Sequence, residues 1–342
     1  MDVQNELKAT VSALIQSGRG ILAADESEPT IAKRFKAVGL SSTEELRRAY
    51  RTLLLATPHI GRFISGVILF EETLSQRDDR GMPLPALTVA QGIVPGIKVD
   101  KGVTPLSGAP GDNVTQGLDG LADRLKHYKT LGARFAKWRE VYPVSDHNPT
   151  ALGIEVNAET LARYAAICQL VGIVPIVEPE VLLDGDHSMQ RCAEVTEQVL
   201  HAVFHALHRH GVALELMLLK PSMVLPGKEC PTRASVETVA RETLQVLKRT
   251  VPAAVPSINF LSGGQTPEQA TAHLDAMNRQ YPQAPWSLSF SYARALQEPV
   301  MACWHGSPDK VAAAQQVFYR RAELNSLARQ GKYDPKMENA GL

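Results

Sequence analysis

Short apolar runs rich in β-branched residues alternate along the chain with longer segments whose apolar positions recur every three or four residues. The first pattern is that of buried strands, and the second has the period of helices. Eight runs predict strands: Ile21–Asp25, Ile64–Phe70, Ile93–Asp100, Phe135–Val141, Ile173–Val181, Leu214–Lys220, Ser257–Ser262 and Trp286–Tyr292. Helical patterns fall at Leu118–Leu131, Ala158–Leu170, Met189–His208, Ser235–Thr250 and Thr266–Asn278, the last with Pro267 at its first position. The opening MDVQNELKATVSALIQ reads as an amphipathic helix, whereas Glu71–Gly92, rich in Pro and Gly, reads as irregular. Eight alternating units predict an α/β fold, a (β/α)8 TIM barrel. No low-complexity linker divides them, so residues 1–342 are expected to form a single domain with an N-terminal helix and a short C-terminal helical segment.

The ends of these runs carry residues that a buried apolar strand excludes. Asp25 closes the first run, and Lys98 and Asp100 close the third. Lys137 and Arg139 lie in the fourth, Glu178 and Glu180 close the fifth, and Lys220 ends the sixth, just before Pro221. Pairs two residues apart project to the same side of a strand. Burying so many charges is costly unless they pair or serve chemistry, and barrel active sites sit at the C-terminal strand ends. The pattern therefore predicts one charged mouth.

Two segments look suited to an anion. Leu261-Ser262-Gly263-Gly264-Gln265-Thr266-Pro267 reads as a strand end, a glycine turn and a helix start, where amide N–H groups gather. Phe290-Ser291-Tyr292-Ala293-Arg294 places hydroxyls and a guanidinium after the eighth strand. Phosphate sites after strands seven and eight are frequent in this fold.

Charge and composition sharpen this picture by what they exclude. The 342 residues carry 36 basic and 36 acidic side chains, so attraction for an anion must be local. The chain as a whole offers no footprint for nucleic acid or an anionic membrane. No run of about 18 apolar residues predicts a spanning helix. The start lacks the apolar core of a signal peptide, and Cys168, Cys192, Cys230 and Cys303 show no paired spacing, so a cytoplasmic protein is expected. His201, His205 and His208 share one helical face, but with no accompanying carboxylate motif they read as a solvated stripe and not as a metal site.

Several long motifs, in order over about residues 15–330, resemble class I fructose-bisphosphate aldolase. They are Gly20-Ile21-Leu22-Ala23-Ala24-Asp25-Glu26-Ser27, Gly96-Ile97-Lys98-Val99-Asp100-Lys101-Gly102, Thr115-Gln116-Gly117-Leu118-Asp119-Gly120-Leu121 and Phe135-Ala136-Lys137-Trp138-Arg139. Ile173–Glu180 with Asp184-Gly185-Asp186-His187, Leu218–Val224, Leu261–Gln265 and Phe290-Ser291-Tyr292 with Arg294 complete the set. The resemblance implies reversible cleavage of fructose 1,6-bisphosphate to dihydroxyacetone phosphate and glyceraldehyde 3-phosphate through a lysine Schiff base. It implies no metal and no cofactor, sugar phosphates as partners, and a homo-oligomer, commonly a tetramer.

Residue by residue, Lys220 matches the imine-forming lysine. An amine attacks only when unprotonated, and burial beside a second lysine is a setting that favours this. Glu178 matches the group that handles protons as the carbinolamine loses water, and Asp25 the carboxylate that takes the C4 hydroxyl proton. Lys137 and Glu180 match supporting members of the cluster. Ser262, Gly263 and Arg294 match the site of the C1 phosphate, with Ser291 beside them. Lys98, Arg139, Ser27, Thr30, Lys33 and Arg34 match positions that hold the distal phosphate or line the cleft.

The chain departs from the family pattern at several points. Ser27-Glu28-Pro29-Thr30 replaces a Ser-Thr-Gly-Ser-like turn, and Pro29 is expected to stiffen that loop. Ala293 stands at a usual glycine, where a positive φ would be strained. Leu216-Met217 replaces a smaller pair, a swap with scope to alter substrate preference. Asn339-Ala340-Gly341-Leu342 carries no tyrosine of the kind that ends many family members, so Glu178 is expected to take over proton exchange on the enamine. Two other activities share the motifs: a Schiff-base aldolase or transaldolase for another sugar phosphate, and a catalytically idle scaffold on the same fold.

Overall fold

In a computed structural model, describing residues 2–339, eight parallel strands close into a barrel ringed by helices. The strands are β1 (Gly20–Ala24), β2 (Ile64–Leu69), β3 (Val94–Lys98), β4 (Phe135–Tyr142), β5 (Val174–Val181), β6 (Leu218–Leu219), β7 (Ser257–Phe260) and β8 (Ser287–Tyr292). Each pairs with its neighbours in sequence, and β8 closes on β1 through Ile21↔Ser291 and Leu22↔Tyr292. This is the (β/α)8 fold that the alternation predicts. A two-stranded antiparallel ribbon, Val103–Pro105 with Asn113–Thr115, stands outside the barrel.

The sixth strand is much shorter than its apolar run. Leu214–Leu216 forms a single 3-10 turn, and only Leu218–Leu219 pairs with β5 and β7. Gln169 is the reason: its amide accepts from Ala213 N–H at 3.0 Å and donates to the carbonyls of Ala213 and Leu216 at 2.8 and 3.1 Å. Those backbone groups thus find partners without a strand neighbour. Asp25, Asp100, Lys220 and Ser262 lie one or two residues past their ladders, at the mouth.

Packing follows the period of two. Ile21, Ala23, Ile68, Phe135, Val174, Ile176 and Leu218 form the apolar floor of the barrel. Leu22, Ala136, Trp138, Val177 and Leu219, one residue out of phase, join the larger core under the helices. The N-terminal helix Val3–Leu14 plugs the floor with Leu7, Val11 and Leu14. Glycines make room there: a Cβ on Gly96 would collide with the Phe135 ring and one on Gly66 with Leu14.

Helices at Leu121–Thr130, Ala151–Leu170, Met189–Arg209, Val236–Thr250 and Pro267–Gln280 match the predicted ones within a turn or two. Glu71–Gly92 contains two short helices, Glu71–Ser75 and Leu84–Val89. Further helices span Glu28–Ala37, Glu44–Leu55 and Arg294–Trp304. The C-terminal segment is longer than expected, a 19-residue helix at Val311–Arg329 and then a 3-10 stretch at Pro335–Asn339. Ala340, Gly341 and Leu342, the last residues of the C-terminal stretch singled out above, lie outside the described residues. No helix among the described residues is long and apolar enough to cross a membrane.

Candidate active site

Continuing the inward columns toward the C-terminal end of the barrel converts apolar floor into charge. Ile21 and Ala23 lead to Asp25, Phe135 to Lys137 and Arg139, Val174 and Ile176 to Glu178 and Glu180, and Leu218 to Lys220. These side chains line a cleft of about 500 Å³. In a chain of zero net charge, the lining gathers seven lysines and arginines against four carboxylates. That local excess suits an anionic ligand.

At the bottom, Glu178 lies between two lysines. Its Oε1 is 3.2 Å from Lys220 Nζ and its Oε2 is 3.1 Å from Lys137 Nζ. Lys137 also donates to Asp25 Oδ2 at 2.9 Å. All four residues are buried. Burial alone would raise the Asp25 carboxyl, but Lys137, with Lys220 and Lys98 behind it, holds it far below the usual carboxylate range. Burial would likewise lower Lys137, yet Asp25 and Glu178 outweigh it and keep this lysine firmly protonated. Lys137 is thus a fixed ammonium between two carboxylates. Lys220 stands at the end of the row, tied to the β-ladder by its N–H on Val177 O at 2.8 Å.

The anion cradle occupies the mouth beside β7 and β8. Gly263 and Gly264 adopt φ of 55° and 88°, a conformation that favours glycine. Among the described residues, neither glycine N–H has an acceptor, and the Arg294 guanidinium has no hydrogen bond or ion pair. Ser291 Oγ, buried in the lining, is also unpartnered. The helix from Pro267 starts here with a capping box, Thr266 Oγ1 accepting from Gln269 N–H and Gln269 Oε1 from Thr266 N–H. Gln265 braces the turn from below. Its Nε2 donates to Ser262 O at 2.9 Å, and its Oε1 accepts from Nδ1 of buried His273 at 2.5 Å. Burial drives that imidazole down to about 4, so it is neutral near pH 7.

Across the mouth stand the remaining cations. Arg139 pairs with Glu180, Lys98 with Asp100, and Arg34 with Glu26. Lys33, on the exposed face of the Glu28–Ala37 helix, has no partner among the described residues. Ser27 and Thr30 share a hydroxyl–hydroxyl contact of 3.1 Å at the start of that helix.

The fifteen residues singled out from the sequence thus all line this one cleft: Lys220, Glu178, Asp25, Lys137, Glu180, Ser262, Gly263, Arg294, Lys98, Arg139, Ser27, Thr30, Lys33, Arg34 and Ser291. One further polar member, Glu26, was missed as a site residue. It is buried beside Arg34, Arg51 and Gln297, the last donating to it at 2.8 Å. Its signals were adjacency to Asp25 and its place in the Gly20–Ser27 motif. His201, His205 and His208 are exposed on the outside of their helix.

The departures prove mild in structure. Pro29 sits in the first turn of a helix and not in a loop, where its missing N–H costs nothing. Ala293 has φ of −101°, so its Cβ causes no left-handed strain. Leu216 packs in the barrel floor and Met217 in the outer core, both away from the cleft.

A closed (β/α)8 barrel with paired lysines and carboxylates at its mouth, beside an open anion cradle, has the make-up of an enzyme for phosphorylated carbonyl compounds. Comparison with known proteins narrows the class. Residues 6–341 match the family model described as fructose-bisphosphate aldolase class-I. The chain is 54% identical over 329 residues to a probable fructose-bisphosphate aldolase class 1 of Xanthomonas campestris pv. campestris, covering 96% of this chain and 98% of that protein. It is 52% identical to human fructose-bisphosphate aldolase C, over 99% of this chain and 93% of the relative. Fructose-bisphosphate aldolase from Plasmodium falciparum, solved in complex with TRAP and a small-molecule inhibitor, superposes with a TM-score of 0.96 at 51% identity. That match covers 97% of this chain and 96% of the other. The chain belongs to the class I fructose-bisphosphate aldolase family, metal-independent lyases of glycolysis.

Proposed function

We propose that Lys220 attacks the C2 carbonyl of fructose 1,6-bisphosphate, with its C1 phosphate in the Ser262–Gly263–Arg294 cradle. Addition gives a carbinolamine; Glu178, 3.2 Å from Lys220, delivers the proton that lets hydroxide leave as water. The resulting iminium is the electron sink. Asp25 takes the C4 hydroxyl proton, the C3–C4 bond breaks, and its electron pair flows into the imine as an enamine. Glyceraldehyde 3-phosphate leaves. Glu178 regains a proton from solvent and gives it to the enamine at C3, Asp25 returns its own proton to solvent, and hydrolysis releases dihydroxyacetone phosphate and the free lysine.

Lys137 holds Asp25 and Glu178 in place as a permanent cation and balances their charge through the cycle. Arg139, oriented by Glu180, and Lys98, Lys33, Arg34, Ser27 and Thr30 receive the distal phosphate. The observation that carries this reading is Glu178 bridging Lys220 and Lys137 in a buried, anion-attracting cleft. The enzyme acts as a cytoplasmic homo-oligomer, a tetramer by analogy with the family.

The test is chemical capture. The purified protein is incubated with dihydroxyacetone phosphate in excess EDTA, treated with borohydride and digested for peptide mass analysis. A reduced triose phosphate adduct on Lys220 is expected. A folded protein without an adduct, or with one on another lysine, overturns the assignment.

A further inference from the structure

Beside the phosphate cradle stands a cation that neither the motifs nor the cleft lining includes. Lys228 reaches over Gly264 from the loop after β6: a Cβ on Gly264 would come within 2.9 Å of Lys228 Cε, 3.1 Å of Lys228 Nζ and 3.2 Å of Arg294 Nη2. The ammonium and the guanidinium therefore flank the same glycine, one of the two whose N–H has no acceptor among the described residues. Chance placement of a surface lysine is unlike this, because the backbone that carries it is pinned. Gly227 N–H donates to His187 O at 2.8 Å, Lys228 N–H to Leu183 O at 2.9 Å and Glu229 N–H to Gly185 O at 3.0 Å. A Cβ on Gly227 would run into Gly185 O, so this loop and the loop after β5 lie backbone on backbone. Lys228 Nζ rests 3.0 Å from Asp184 Oδ1, supplied by that second loop.

We propose that Lys228 is a substrate-specificity residue that closes the C1-phosphate site from the β6 side, exchanging Asp184 for the phosphate when a ketose 1-phosphate binds. The inference rests on the C1-phosphate placement given above. The resting pair is half exposed, at 44% for Lys228 and 72% for Asp184, and such pairs hold weakly. A phosphate beside Arg294 and the open glycine amides offers Lys228 a doubly charged acceptor instead. Asp184 is thus a competitor that limits affinity, and the pair sets how tightly the enzyme grips any substrate with a phosphate on C1.

Two variants separate this from a merely structural role. Lys228→Gln is expected to raise KM for fructose 1,6-bisphosphate and for fructose 1-phosphate by about five- to twentyfold, the loss falling on KM more than on kcat. Asp184→Asn is expected to lower KM, because Lys228 is released. Calorimetric titration with inorganic phosphate provides a readout independent of turnover, its Kd weakening in Lys228→Gln and tightening in Asp184→Asn. Both effects shrink at high salt, as screening demands. An unchanged KM and phosphate Kd in Lys228→Gln overturns the proposal, and so does an equal weakening in both variants, which marks a loop that needs the pair for its shape. Borohydride capture on Lys220 at saturating dihydroxyacetone phosphate is run on each protein. Its failure in the parent enzyme strikes the Schiff-base reading, while the phosphate titration still judges Lys228.

Discussion

Lys137 and Lys220 are held by the same carboxylate, Glu178, which gives Oε2 to the first at 3.1 Å and Oε1 to the second at 3.2 Å. The two lysines differ in what else they touch. Lys137 has a second carboxylate, Asp25, and stays charged, whereas among the described residues Lys220 makes no other ion pair. That asymmetry separates the electrostatic anchor from the proposed nucleophile, although both lie on inward columns of one barrel.

Lys220→Arg keeps a long basic side chain but removes the amine proposed to form the imine. We expect kcat to fall on the order of 10^4-fold or more, with borohydride capture abolished and the far-ultraviolet dichroism retained. Cleavage at a tenth of the parent rate would show that the chemistry does not pass through this residue.

Lys137→Met strands Asp25 and Glu178 in a buried site without their shared cation. Breaking a buried pair by removing one partner costs about 3–5 kcal/mol, so urea unfolding should show a loss of that size at pH 7. The sign with pH follows from Asp25, whose folded pKa is depressed. Its pairing energy is present above the ordinary carboxylate range and is lost as pH falls through the folded value. The gap between parent and variant should therefore close in strong acid; a gap that widens there contradicts the assignment.

Glu140 lies one residue beyond Arg139 on the outward column, fully buried, accepting from Trp138 Nε1 at 2.9 Å and Thr115 N–H at 3.1 Å. Burial pushes its carboxyl up to about 7. A raised carboxyl is more costly to ionise in the fold than in the open chain, so it withdraws stability as pH rises from the ordinary value to about 7. Relative to Glu140→Gln, the parent should lose on the order of 3 kcal/mol between pH 4.5 and pH 8. Denaturant titrations of both proteins at those two pH values check this, and a constant difference would refute it.

Gln265 holds the Ser262 carbonyl and is itself held by His273. Gln265→Ala removes one hydrogen bond of about 1 kcal/mol beneath the cradle, so KM for the bisphosphate should rise about fivefold. His273→Ala should act in the same direction through Gln265. Were only kcat to change, the cradle would not be what this bracing serves.

Much of this protein is written in local pattern. The apolar runs at Phe135–Val141 and Ile173–Val181, the helical periods between the runs and the charges two residues apart at their ends depend only on neighbouring residues. They were enough to predict the barrel and its charged mouth, while the family resemblance supplied Ser27, Thr30, Lys33 and Arg34 among the fifteen residues that line it. What local pattern could not carry is who finds whom. The Leu214–Leu216 run is as apolar as a strand, yet turns because Gln169, far back in the chain, takes its backbone groups. The Val311–Arg329 helix hides its period because Arg321, Asn325, Ser326 and Arg329 are buried polar residues, satisfied by remote partners such as Thr271 and Glu338. Lys228 and Glu26 look like ordinary loop and turn charges until the fold sets one over Gly264 and the other against Arg34, Arg51 and Gln297. Sequence by itself determined which faces are apolar and where charge accumulates, because periodicity is a property of adjacent residues. Tertiary structure alone decided the pairings, because the cost of a buried charge or open amide depends on what distant segments bring to meet it.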